Sequence, residues 1–235
     1  MILFMILASH GAHAQTIERY EGILIDSSAS IARGKAKNEL FHEYLTSTKK
    51  LLLTEPANSR VWVSNIATDS FGEADEIVKG WTPDARGVFT DALNRARHQL
   101  AAGFEGKSKT MTPTSSGTDI FGGLWHMKTV FESTPKSDAS QSLPKTIWIF
   151  SDMMNETQEF PMSTWLTLGP ERMLERAKEK GLVVPLEGYR VYIYGASPSG
   201  LTPQEWTTLK KFWHLYFSTA GAELSGYSAE SDVHR

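Results

Sequence analysis

The chain contains no cysteine in 235 residues. That absence excludes disulfides, thiolate metal sites, iron–sulfur clusters and cysteine nucleophiles, and it leaves the redox compartment open. No excess of one charge is present either. The 24 Lys and Arg stand against 27 Asp and Glu, a net charge of −3, so no global field draws the chain to nucleic acid or anionic lipid. No apolar run approaches the ~18 residues that a membrane-spanning helix needs, and no internal repeat or domain linker is visible. What is present is 40% hydrophobic, 22% charged and 11% aromatic residues, a composition suited to one compact globular domain.

The N-terminal run from Met1 to Ala8 is apolar but too short to cross a bilayer, and Ala12-His13-Ala14 before Gln15 has the A-x-A form of a cleavage site. Residues 1–14 are therefore expected to form a signal peptide, although no Lys or Arg precedes the apolar run. The rest, 15–235, is expected to be a single domain in the periplasm or secreted. A buried N-terminal strand is the alternative.

Four short apolar runs read as buried strands: Tyr20 to Asp26, Arg60 to Thr68, Lys145 to Asp152 and Tyr189 to Gly195. A fifth could follow from Ala222 to Tyr227. Helical patterns lie between them at 31–53, 89–102, 119–132, 170–180 and 202–220. Alternation of strand and helix implies right-handed crossovers, hence an α/β fold: a doubly wound, mostly parallel central sheet with helices on both faces. Three stretches, 68–88, 103–117 and 153–169, exceed the short connections of such folds and read as long loops able to carry function.

Directly after the first strand, Asp26-Ser27-Ser28-Ala29-Ser30 places a carboxylate and two hydroxyls at i, i+2 and i+4 across a strand-to-helix turn. All three groups can face one point, and oxygen donors of this kind suit a hard divalent cation. Thr118 and Asp119 open a helix after a long loop, and Asp152 ends the strand containing Trp148 to Phe150. In an open parallel sheet the strand C-terminal ends form one crevice. Asp26, Ser28, Ser30, Thr118 and Asp152 are therefore expected to converge there. The plain structural reading of Asp26, Asp152, Thr118 and Asp119 is helix capping; for Asp119 capping is the expectation.

The order of these motifs resembles the metal-ion-dependent adhesion site of the von Willebrand factor type A domain family: D-x-S-x-S, then a Thr before a helix, then an Asp ending a hydrophobic strand. The resemblance runs from Tyr20 to about Tyr227. It implies a Rossmann-like fold of that type, with Mg²⁺ or Mn²⁺ held by Ser28 and Ser30 directly, by Asp26 and Asp152 directly or through water, and by Thr118. One departure stands out, since Met153-Met154 follows the last motif where the family more usually has Gly.

A cation with only two carboxylate neighbours keeps positive character and can accept an Asp or Glu carboxylate from a protein partner. The expected function is thus an exported binding module, not an enzyme, with no nucleic acid partner and no membrane insertion. Asp69, Trp81, Phe160 and Trp165, on the long loops, are the candidates for contacting that partner. Two other functions stay open: a structural or assembly subunit making metal-independent contacts, and, more weakly, a metal-assisted hydrolase. The chain has no G-x-S-x-G elbow and no H-E-x-x-H motif. His42, His98, His126 and His214 all fall on helical patterns.

Overall fold

The computed structural model describes residues 17–29, 31, 38–71, 75–85, 90–114, 116–134, 143–197 and 200–233. The expected signal peptide and Ser30 lie outside them. Among the described residues, six strands form one sheet: β1 (Arg19–Asp26), β2 (Ser59–Ile66), β3 (Glu76–Trp81), β4 (Lys145–Phe150), β5 (Tyr189–Tyr194) and β6 (Glu223–Tyr227). Their order is β3-β2-β1-β4-β5-β6. Every pair is parallel except β2 with β3. The helices are α1 (Glu39–Leu53), α2 (Thr90–Ser108), α3 (Ile120–Ser133), α4 (Met162–Trp165), α5 (Pro170–Glu179) and α6 (Pro203–Ala220). This is the expected doubly wound α/β architecture.

The central strands are apolar along their whole length because both faces are covered. Along β1, Tyr20 and Leu24 join a core with α3, α5 and α6, while Ile23 and Ile25 join a second core with α1 and α2. The period of two thus feeds two layers from one strand. Gly22 faces α3, where a Cβ would meet the Met127 Sδ at 2.4 Å. The aromatic side of α6 is core, as its spacing implies: Phe212, Trp213, Tyr216 and Phe217 are all fully buried.

The 68–88 stretch is not simply a loop, since it contains β3, and 153–169 contains α4 and a 3-10 turn over Leu166–Leu168. The 103–117 stretch begins inside α2, which runs on to Ser108. Helix α1 begins at Glu39, and residues 32–37 of the expected 31–53 helix lie outside the described residues. Asn38, the residue before α1, has φ of 70°, a left-handed conformation.

The chain moves outward from β1 to β2 and β3, then crosses back to β4 on the other side of β1. The boundary between β1 and β4 is therefore the topological switch point, and the crevice outside their C-terminal ends is where such folds bind ligands.

Candidate metal site at the sheet switch point

Asp26 is the last residue of β1, and its side chain is completely buried. One carboxylate oxygen accepts the Ser28 N–H at 2.8 Å, the local turn that D-x-S dictates, and the other accepts the Ser151 hydroxyl at 2.6 Å. The Ser28 hydroxyl bonds to the same carboxylate, and Ser28 is itself buried. Burial, and next the nearby negative charge of Asp152, push the Asp26 carboxyl up to about 7, against the opposing pull of its bonds to Ser151 and Ser28. Two carboxylates across the switch point are thus close enough to feel each other, an arrangement that a cation between them relieves.

Ser151 links the two strands. Its N–H donates to the Tyr194 carbonyl at 3.1 Å, its hydroxyl donates to Asp26, and the same oxygen accepts the Met153 N–H at 2.9 Å. Asp152 is half-buried, and its carboxylate accepts the Met154 N–H at 2.9 Å. The turn explains the departure from glycine. Met153 has φ of +64°, the left-handed region in which Gly is free of steric cost, yet its side chain is fully buried in the core and its carbonyl accepts the Trp213 indole N–H at 2.9 Å. Packing holds the residue in a conformation that its own backbone disfavours.

Thr118 is 1% exposed and is set by a short antiparallel bridge to Glu156, with N–H to carbonyl distances of 3.0 and 2.8 Å. Asp119 caps α3, as expected, accepting the Gly122 N–H at 2.8 Å. Its second oxygen accepts the Ser70 N–H at 3.1 Å, which ties the end of the β2 loop to α3. Partial burial raises the Asp119 carboxyl above its ordinary range, against its bonds to Gly122 and Ser70. Asn155, which the sequence did not single out, is fully buried; its amide oxygen accepts the Ile120 N–H at 2.9 Å and its amide nitrogen donates to the Phe160 carbonyl at 3.2 Å. Asn155 and Glu156 together clamp the β4 loop onto the start of α3.

Tyr44, on α1, lies beneath the site. It is fully buried, its hydroxyl donates to the Gly195 carbonyl at 3.0 Å, and burial followed by Asp152 and Asp26 raises its phenol well above the ordinary value. Nothing in the sequence marked Tyr44 as part of the site, because it reaches it from a helix whose packing only the fold reveals; Ser151 comes with Asp152 at the end of β4.

Asp26, Ser28, Thr118 and Asp152 therefore meet at one edge. Among the described residues no group of three or more His, Asp or Glu is placed to hold a metal. What converges instead is two carboxylates and hydroxyl oxygens, a donor set that fits a hard cation retaining several waters and suits zinc poorly.

The partner candidates divide. Asp69 is exposed at the same edge. Trp81 is 44% exposed but pairs with Arg60 at the start of β2, so it sits at the opposite edge of the sheet; the antiparallel direction of β3 carries it there. Phe160 is 0% exposed and packs in the core against Phe121 and Phe212, so it presents nothing to a partner. Trp165 is half-buried, edge-on to Phe160 at 4.6 Å. Among the described residues, Phe71 is the large apolar side chain exposed beside the start of α3, at 65%. All four histidines named from the sequence lie on helices.

No family model matches the sequence, and no curated protein matches it. Solved structures do. PilB minor pilin from Streptococcus sanguinis is 15% identical, with a TM-score of 0.52 over 92% of this chain and 58% of that one. The SpRpn10 VWA domain is 10% identical, with a TM-score of 0.46 over 91% and 90%. A von Willebrand factor type A protein from Catenulispora acidiphila is 13% identical, with a TM-score of 0.48 over 87% and 42%. The chain spans less than half of that protein, and likewise 42% of proximal thread matrix protein 1 from the mussel byssus. At these identities the likeness is one of fold. From strand order, the single antiparallel edge pair and the likeness to PilB minor pilin, the chain has a doubly wound, mostly parallel α/β fold.

Proposed function

We propose that this protein is an exported binding module that holds Mg²⁺ or Mn²⁺ at the switch point and through it engages a carboxylate of a protein partner. The observation that carries the reading is the fully buried Asp26 carboxylate, drawn beside Asp152 and ringed by the hydroxyls of Ser28 and Ser151. Such a pair is costly without a counter-ion and is stabilised by one. Asp26, Ser28, Thr118 and Asp152 would hold the ion, with Ser30 completing the D-x-S-x-S set. The ion would supply an open coordination position of positive character. The protein's own groups supply burial, orientation and the bonds that keep both carboxylates in place.

Export is supported by the A-x-A pattern of the N-terminal segment and by the likeness in fold to a minor pilin. No described helix is long and apolar enough to cross a membrane. The role is one of binding, since the groups gathered at the site are oxygen ligands and hydrogen-bond donors to them.

Thermal unfolding of the chain and of Asp26→Ala, in EDTA and then in Mg²⁺, Mn²⁺ or Ca²⁺, tests this. An ion at ~100 times its Kd stabilises a native-only site by about 2.7 kcal/mol. That raises Tm by roughly 2–4 °C for each kcal/mol in a chain of this size. The expected result is such a rise for the wild type and none for Asp26→Ala. No response in either chain would overturn the metal reading and favour the metal-independent assembly subunit.

A further inference from the structure

Among the described residues Phe71 is the most exposed of the large hydrophobic side chains, at 65%, yet its backbone N–H is bonded at this edge. The Asp119 carboxylate accepts both the Ser70 N–H and the Phe71 N–H. The Ser70 hydroxyl bonds back to the Ala67 N–H at 3.0 Å and carbonyl at 3.3 Å, and the Asp119 N–H donates to the Ala67 carbonyl at 2.8 Å. Gly122 makes the approach possible: a Cβ there would fall 1.9 Å from an Asp119 oxygen and 2.8 Å from the Phe71 nitrogen. Asp119, Ser70 and Gly122 thus hold the backbone that carries an exposed phenyl ring beside the first turn of α3.

A ring carried on a held backbone has only its own two side-chain torsions to order on binding, which suits an interface anchor. Resting on the reading of the site as a cation bridge, we infer that Phe71 is an apolar anchor for the partner. The segment recognised is then a stretch of protein whose ligating Asp or Glu has a large apolar side chain within a few residues. The cation takes the carboxylate and the ring takes its neighbour, so neither feature alone is sufficient.

The test uses the full chain, fluorescently labelled, on an array of immobilised 12-residue peptides. One series carries a central Asp flanked by Leu or Phe; a second has the same Asp flanked by Ser; a third has the apolar flanks with Asn in place of Asp. The expected result in Mg²⁺ is at least tenfold greater retention on the first series than on either other, abolished by EDTA. Phe71→Ser is expected to lower retention on the first series to the level of the second, and Phe71→Leu to restore it to within about threefold. The cation-induced rise in Tm reports in parallel that each variant is folded and binds metal. Equal retention on the first two series, retention unchanged in Phe71→Ser, or no retention on any series overturns the anchor while leaving the metal reading to the Tm measurement. Retention on the first series that persists in EDTA overturns the metal bridge instead.

Discussion

Asp26 carries a pH signature that separates it from an ordinary cap. Its carboxyl stands at about 7 in the folded chain against 3.8 for the free side chain, mainly through burial and the charge of Asp152. The folded state therefore holds the proton more tightly. The stability this gives is complete below pH ~4, and it is lost as pH rises through about 7. Without divalent ions the chain is expected to be less stable at pH 8 than at pH 5, by on the order of a few kcal/mol and hence with a lower Tm, and Asp26→Asn is expected to flatten that slope. A cation competes with the same proton, so its stabilisation is expected to grow with pH over the same window; a pH series of Tm with and without Mg²⁺ reads both. Ser151→Ala is expected to cost about 1–3 kcal/mol in denaturant unfolding, because it removes the partner of a buried carboxylate oxygen. At Met153 two costs oppose each other. Glycine would relieve about 1–2 kcal/mol of left-handed strain, but emptying a fully buried Met site costs about 2–5 kcal/mol, so Met153→Gly is expected to destabilise.

The elements that build the site meet at joints where one residue serves two of them. At the end of β5, Gly195 has φ of +77°, and a Cβ there would lie 2.2 Å from the Tyr44 ring of α1. Gly195→Ala is therefore expected to cost about 2–4 kcal/mol and to push α1 away from Asp26, lowering cation affinity along with Tm. Asn155 joins the β4 loop to α3 in the same sense. Asn155→Ala leaves the Ile120 N–H and the Phe160 carbonyl unpaired, and a loss on the order of 2–4 kcal/mol is expected in chemical denaturation. These joints mark the limit of what the sequence reveals. Strands β1, β2, β4 and β5 were legible because burial on both faces makes them continuous apolar runs, and α3, α5 and α6 because their periodicity and caps agree. Strand β3 was not, since it alternates exposed and buried residues at the sheet edge, with Lys79 and Glu76 paired across it. The same misreading placed Trp81 at the wrong edge. Phe160 looked available because it sits in a polar stretch, and only the return of the β4 loop over α3 and α6 buries it. The placement of Asp26 and Asp152 at strand ends and of Thr118 before a helix was legible from the pattern, and Ser151 comes with Asp152; Asn155 and Tyr44 act through pairings no local pattern encodes.

At the scale of the whole molecule, the sheet's two layers are closed by the chain beyond β6. The Ser228 N–H donates to the Ile193 carbonyl at 2.9 Å, and the Gly195 and Ala196 N–H groups donate at 2.9 Å to the carbonyls of Glu230 and Ser228. Ser231 then bonds to Glu43, Asp232 pairs with Lys50 at 2.8 Å, and Val233 is buried in the core of the α1 and α2 layer. The segment starts from the edge strand beside α6 and finishes on α1, so it joins the two layers across the end of β5. Magnitudes decide which of its contacts matters. The Lys50–Asp232 pair is about half exposed on both sides and is worth at most about 1 kcal/mol. Burial of Val233 is worth about 1.5–3 kcal/mol, and the backbone bonds at Gly195 and Ala196 protect groups that would otherwise be unpaired beside the site. Lys50→Ala is accordingly expected to leave Tm within about 2 °C of wild type. Val233→Ser is expected to lower it by several degrees, and removal of everything after Tyr227 to lower it further. Hydrogen exchange at the Gly195 amide gives the independent check. It is expected to accelerate in the truncated chain and in Val233→Ser but not in Lys50→Ala, and equal protection in all three would mean that the segment merely rests on the surface.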